Sequence, residues 1–182
     1  MTDVQVLTPM HKGDVGTQKL NAVLQERLNP GNGKGLKRGF VEYRVGDRVL
    51  QLRNNYEKEV FNGDLGRVMY INTEDNELTA EFDGNIVHYE LSELDELTLA
   101  YAVSVHKSQG SEYPAVVMPI VSQHYMLLQR NLLYTGLTRA RKLAVLIGSK
   151  RAFTIGLNNV TAGKRFTNLR HRIKQIFDEN LL

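Results

Sequence analysis

The sequence has no cysteine, so a disulfide framework and a thiolate metal site are both excluded. It has no apolar run of membrane-spanning length, and Met1-Thr2-Asp3-Val4 does not read as a signal peptide; a soluble, cytoplasmic protein with no membrane partner is expected. Internal repeats and low-complexity segments are also missing. What remains is a chain of 182 residues with an apolar fraction of 42%, enough for one or two small globular domains.

A scarcity of base in one region is more informative than the net charge of +3. From Glu42 to Glu96 there are 14 acidic and 5 basic residues, a balance of −9, whereas the remainder has 6 acidic and 18 basic, a balance of +12. A basic body with an acidic insert points to a polyanion for the outer segments and a separate unit in the middle. A solvated basic surface with no ligand is the alternative on charge alone.

Periodicity divides the chain in the same way. Val4-Gln5-Val6-Leu7 reads as a buried strand, and Asp14 to Leu28 as a helix with Val15, Leu20, Val23, Leu24 and Leu28 on one stripe. Asn29 to Gly39 is rich in Gly and Pro and reads as a loop and domain junction. Short strands follow around residues 45–52, 66–71, 78–82 and 86–91. The turns Asn62-Gly63-Asp64, Thr73 to Asn76 and Asp83-Gly84-Asn85 separate them, as in a small barrel of the SH3 type. Beyond Leu97, Val116 to Ile120 and Leu143 to Gly148 read as buried strands around a helix over about Gln129 to Arg139. The three apolar strands are expected to share one sheet. The expected fold is α/β, a discontinuous parallel-sheet domain (1–39 and 98–182) interrupted by the barrel (40–97). The tail, Phe166 to Leu182, reads as a basic amphipathic helix.

Two stretches carry chemistry. Ser104-Val105-His106-Lys107-Ser108-Gln109-Gly110-Ser111-Glu112 is a polar loop at a strand end, where α/β proteins place ligands. Leu133-Tyr134-Thr135-Gly136-Leu137-Thr138-Arg139-Ala140-Arg141-Lys142 is a cationic helix end before a strand, a placement that helix-dipole capping alone would also favour. In this order they resemble motifs V and VI of superfamily 1 helicases, and the wording is that of the RecD-like branch. Asn62-Gly63-Asp64-Leu65-Gly66 of the barrel and the opening Val6-Leu7-Thr8-Pro9-Met10-His11-Lys12-Gly13 resemble the same branch. Ser111-Glu112 separates it from Pif1-like relatives.

The resemblance implies a RecA-like motor domain (2A) carrying an SH3-like barrel (2B). It also implies ATP with Mg2+ as cofactor, single-stranded DNA as substrate and 5′→3′ movement. An N-terminal RecA-like domain would be the partner, with a nuclease or recombination complex as further company. Arg139 matches the arginine finger, a permanently charged fork suited to phosphate oxygens. Gly110 and Glu112 match nucleotide-lining positions, and Lys12 is a second candidate phosphate contact. Ser104 and His106 match positions that touch the DNA backbone. In the barrel, residues 71–97 contain nine acids and no base, so DNA contact is expected from the first half, through Arg53, Asn55, Tyr56 and Lys58. Tyr56 and Phe61 as barrel core are the alternative. No metal site is expected.

No Gly-x-x-x-x-Gly-Lys-[Ser/Thr] phosphate loop is present; Gly156 and Gly163-Lys164 have six residues between the glycines, and Arg165 follows where a hydroxyl is needed. An acidic Walker B strand is also missing. The chain alone is therefore expected to be inactive, with the enzyme being the full-length ATP-dependent helicase. The helicase part of a relaxase–helicase and a non-enzymatic nucleic-acid-binding module are the competing readings.

Overall fold

A computed structural model describes residues 4–31, 35–122, 125, 127–160, 168 and 172–176. The apolar runs read from the sequence assemble into one parallel sheet. Strands β1 (Val4–Thr8), β9 (Ala102–Ser104), β10 (Tyr113–Ile120) and β11 (Ala140–Gly148) lie in the order β11-β10-β1-β9, all parallel. The pairings Val6 with Val117, and Val117 with Val145, fix which side chains share a face. Helices α2 (Arg130–Leu137) and α3 (Lys150–Asn158) cover one face, where Leu7, Met118, Ile120, Leu132, Leu133 and Ala152 form a core with Val105 and Val116. Gly136 leaves room there for Met118, whose Sδ would lie 2.7 Å from an added Cβ and would have to shift.

The barrel is built from β4 (Arg48–Gln51), β5 (Leu65–Asn72), β6 (Glu77–Phe82), β7 (Asn85–Glu90) and β8 (Leu97–Leu99) in the antiparallel order β7-β6-β5-β4-β8. Strict alternation along β6 buries Leu78, Ala80 and Phe82, as expected of a strand with one face inward. Asp83 and Gly84 both have positive φ, 49° and 89°, which is the geometry that a two-residue hairpin turn demands. A further hairpin, β2 (Gly35–Arg38) and β3 (Val41–Arg44), places Leu36 and Tyr43 in the same core. Residues 35–38 are thus a strand, not the loop that their glycines suggest.

Two other readings need correction. Helix α1 (Thr17–Leu28) buries Thr17, Asn21 and Gln25, leaving Val23 46% and Leu28 57% exposed, the reverse of its hydrophobic stripe. The reason is the surface it meets, which consists of unpaired backbone groups and a buried carboxylate. Asn21 Nδ2 donates to the carbonyls of Leu99 and Ala102 (2.9 Å each), and its Oδ1 accepts from Ala102 N (2.7 Å). Gln25 Nε2 donates to Glu42 O (2.7 Å) and Asp47 Oδ2 (2.6 Å), and Asn29 Nδ2 to Asp47 Oδ1 (2.7 Å). Polar groups withdrawn from water must be paired, and here a polar helix face pairs them. Strand β11, expected to be buried, is an edge strand with Leu143, Val145 and Ile147 exposed, because no element covers their face among the described residues.

The chain passes from β8 of the barrel to β9 of the parallel sheet through only Ala100 and Tyr101, both buried. Gln5, fully buried in β1, donates to both of their carbonyls and accepts from Arg48 of the barrel at 2.6 Å. The tail helix expected over 166–182 lies largely outside the described residues; 172–176 are helical. No helix among the described residues is long and apolar enough to cross a membrane.

Candidate functional site

The loop after β9 is wound tightly by its own hydroxyls. Ser108, fully buried, donates from Oγ to Val105 O (2.8 Å), while Ser104 Oγ accepts from Lys107 N (3.2 Å). Val105 N donates to Thr8 O (3.0 Å), which pins the loop to the end of β1. Ser104 is itself 4% exposed, whereas His106 points outward. Gly110 has φ +89°, a conformation that L residues rarely adopt, and the space where a Cβ would stand is open. The loop therefore presents backbone to the outside at that point.

Arg139 and Glu112 come together from opposite ends of this arrangement. Tyr113 N donates to Arg139 O (2.8 Å), joining the start of β10 to the α2–β11 turn. The Arg139 guanidinium donates to the carbonyls of Ser111 (3.1 Å) and Thr135 (3.3 Å) and to Thr138 Oγ1 (3.3 Å). It contacts no carboxylate among the described residues, so its charge is held by neutral acceptors only. Glu112 is held by Arg141, Nε to Oε2 at 2.8 Å, a half-exposed pair. Arg141, which dipole capping alone could place, thus has a definite partner. Burial pushes the neighbouring Tyr113 phenol up, against the pull of a hydrogen bond to Ser111 and the charges of Arg48 and Arg139.

A second locus lies at the seam between the sheet and the barrel, in a cavity of about 220 Å³ lined by His11, Thr17, Ser104 and Lys107 from one side and Leu52 and Thr98 from the other. Lys107 crosses the seam, donating from Nζ to Asn62 Oδ1 of the barrel at 2.7 Å. Next to Asn62, Phe61 meets Tyr56 edge-to-face at 5.9 Å, and the two rings are 45% and 75% exposed. The alternative that they are barrel core does not hold. The turn that carries them is rigid: Asn55 and Val60 exchange backbone hydrogen bonds, Asn62 N donates to Asn54 Oδ1, and Phe61 N donates to Asp64 Oδ2. Lys12 lies nearby on the exposed loop after β1, before helix α1.

Most barrel cations expected from sequence are already paired. Arg53 meets Asp95 (3.2 Å), Lys58 meets Glu93 (2.6 Å), and Arg44 meets Glu26 and Glu42. Burial alone would raise the Glu93 carboxyl, but Lys58 and the Glu90 amide hold it below its ordinary value. Asn55 faces inward to Glu96 at 3.4 Å. Carboxylates of the acidic second half thus fold back onto Arg53 and Lys58, whereas Arg48 and Arg67 have no carboxylate partner among the described residues. Of the four expected barrel residues only Tyr56 is presented to solvent without such a commitment; Phe61, Asn62 and Lys107 were not foreseen. The Asn62-Gly63 turn signal and the Tyr56–Phe61 spacing could have pointed to them. Among the described residues no group of three His, Asp or Glu could hold a metal ion.

Known proteins resemble the chain in both its barrel and its parallel-sheet part. Residues 20–82 match the family described as the ATP-dependent RecD-like DNA helicase SH3 domain, and residues 99–147 match the UvrD-like helicase C-terminal domain. The chain carries a RecD-like helicase SH3 domain and a UvrD-like helicase C-terminal domain. It is 47% identical over 152 residues to the ATP-dependent RecD2 DNA helicase of Deinococcus radiodurans, a match that covers 84% of this chain and 21% of that protein. Against the RecBCD enzyme subunit RecD of Buchnera aphidicola the identity is 31% over 157 residues, covering 82% of this chain and 25% of the relative. The chain thus spans about a fifth to a quarter of these relatives. In fold it is similar to a Bacteroides Pif1 helicase solved in complex with ADP-AlF3 and single-stranded DNA. The TM-score is 0.63 at 20% identity, over 98% of this chain and 46% of that one.

Proposed function

We propose that this chain is the 2A–2B portion of an ATP-dependent helicase that moves 5′→3′ on single-stranded DNA in the cytoplasm. An N-terminal RecA-like domain supplies the phosphate loop and Mg2+ site that this sequence lacks. The observation that carries the reading is the meeting of Arg139, Gly110 and Glu112 on two laced loops at one end of the parallel sheet. There an arginine with only neutral acceptors stands beside a carboxylate and an exposed glycine backbone. Arg139 acts as the finger on the γ-phosphate, Glu112 accepts from the ribose hydroxyls, and Gly110 lets the nucleotide approach the backbone. Lys12 adds a phosphate contact.

The DNA track follows the seam. Ser104, His106 and Lys107 meet the phosphates, and the exposed Tyr56–Phe61 pair stacks a base, since any base has a face that an aromatic ring can cover. Arg53, Asn55 and Lys58 support that turn rather than bind DNA. Several relatives are named as RecBCD subunits, but the 47% relative is named a helicase in its own right, and a single polypeptide is therefore the proposed working unit. The proposed division is a motor part, up to the loop before Gly35 and again from Ala100, with the barrel between them; Leu36 and Leu99 in the barrel core set those limits, so the boundary expected at residue 98 moves past β8.

Two measurements test the reading. In the helicase-length protein, Arg139→Ala should lower ATP turnover by about a thousandfold while nucleotide still binds; turnover within tenfold of the parent would refute the finger. Tyr56→Ala with Phe61→Ala should weaken oligonucleotide binding by about five- to a hundredfold, whereas Arg53→Gln should change it less than about threefold. The opposite ranking would return the track to the barrel cations.

A further inference from the structure

Among the described residues, one face of the parallel sheet has no cover. The register puts Val4, Val6, Val117, Leu143, Val145 and Ile147 on the side opposite α2 and α3. Helix α1 reaches that side only over β9, where Asn21 holds Ala102. Leu143 and Ile147 are 55% and 58% exposed, and Val4 is 49% exposed. Parallel sheets are stable when both faces are covered, so this face is built for an occupant.

Its dimensions suit a helix. Three strands at about 4.8 Å spacing place the outer axes of β1 and β11 roughly 10 Å apart, about one helix diameter. At Val4 and Val6 the trough continues into a groove of about 720 Å³, walled by the exposed Leu28 and by Leu24, which packs against the barrel core, and ending at Arg48 and Arg67. These two arginines stand opposite each other on β4 and β5, and neither has a salt bridge among the described residues. Arg48 donates to Val4 O and Gln5 Oε1, both neutral. An apolar trough rimmed at one end by two uncompensated cations fits an amphipathic helix with carboxylates along one edge.

We propose that this face docks an acidic-edged amphipathic helix from the part of the helicase polypeptide outside this sequence, which fixes the 2A sheet to the rest of the motor. The inference rests on the proposed function, in which the chain is one portion of a longer protein. Two comparisons support that source: the relatives at 47% and 31% identity are four to five times longer than the segment they share with this chain, which is 21% and 25% of their length. The chain's own tail is a poorer fit, because its cationic stretch would meet Arg48 and Arg67.

The absence of cysteine allows a direct test. Single cysteines are introduced as Val145→Cys and Leu28→Cys in the trough and as Thr73→Cys on an exposed barrel turn, in this chain and in a helicase-length protein otherwise free of cysteine. Maleimide labelling should be at least about tenfold slower in the longer protein at both trough positions and unchanged at the barrel position. Arg67→Glu should restore labelling at the Leu28→Cys site, and unchanged protection there would overturn the acidic edge. Equal rates in the two proteins would overturn the proposal. So would protection in this chain alone, whether it rises with concentration (a second copy) or disappears on truncation after Val160 (the tail). The labelling needs neither ATP nor DNA, so its failure is separable from failure of the helicase reading.

Discussion

Replacing Asp47 by alanine should damage the joint between motor and barrel more than any contact in the barrel itself. Asp47 is fully buried and accepts four hydrogen bonds, from Gln25 Nε2, Asn29 Nδ2, Arg44 N and the Tyr101 hydroxyl, at 2.6 to 2.8 Å. The two amides keep a second acceptor each, Glu42 O and Val45 O, so their loss is partial. Tyr101, 6% exposed, has no other acceptor among its hydrogen bonds and would be orphaned. An orphaned buried donor costs about 1–3 kcal/mol and each bond to a charged acceptor contributes about 1.5–3 kcal/mol, which are not additive within one network. The expected loss is therefore about 3–5 kcal/mol. Tyr101→Phe alone should cost about 1 kcal/mol, and the double variant about 1–2 kcal/mol less than the sum of the two. The assay is urea unfolding followed by far-ultraviolet circular dichroism, suited to a chain without tryptophan. Asp47→Ala should also split the transition, with the barrel persisting beyond the sheet. A loss below about 1 kcal/mol, in one unchanged transition, would refute the reasoning.

Three further outcomes are expected. Gly66→Ala should destabilise the barrel by about 1–3 kcal/mol, because its Cβ would lie 2.6 Å from Glu81 O and 2.7 Å from the Phe82 ring; thermal unfolding checks this. Burial pushes the phenols of Tyr43, Tyr89 and Tyr101 up, aided by Asp47 for Tyr43 and Tyr101 and by Glu96 for Tyr89. A raised folded value means that their contribution is complete below the ordinary value near 10 and is lost as pH rises beyond it. Stability should therefore be flat in these groups up to about pH 10 and fall above it, with the phenolate absorbance of these three buried rings appearing only as the chain unfolds. In the helicase-length protein, Arg141→Gln should raise KM for ATP by up to about fivefold, the ceiling for an exposed ion pair, with kcat little changed; steady-state kinetics would show a role on Arg139 instead if kcat fell.

Much of the fold was legible because local pattern and global position agree. Glu77–Phe82 alternates and is half-buried; Val4–Thr8 and Tyr113–Ile120 are apolar and central; Asp83-Gly84 turns where the turn chemistry requires. Helix α1 was misread because periodicity locates a stripe but not what faces it. The buried carboxylate of Asp47 and the open carbonyls of Leu99 and Ala102 come from residues far along the chain, so no local window contains them. Likewise, Arg53 and Lys58 look like DNA ligands until Asp95 and Glu93 arrive from 42 and 35 positions away. The Arg139–Glu112 region was legible for the opposite reason: two contiguous motifs carry it whole.

The inverted face of α1 also bears on how such a chain can change over generations. Asn21 and Gln25 stand one helical turn apart and mate with groups that an apolar side chain cannot satisfy. A single substitution at this junction passes through a state with an orphaned polar group, so drift requires matched changes on both halves. The barrel surface is under no such constraint. A barrel could therefore diverge in its outward residues while remaining keyed to the same parallel sheet in one orientation.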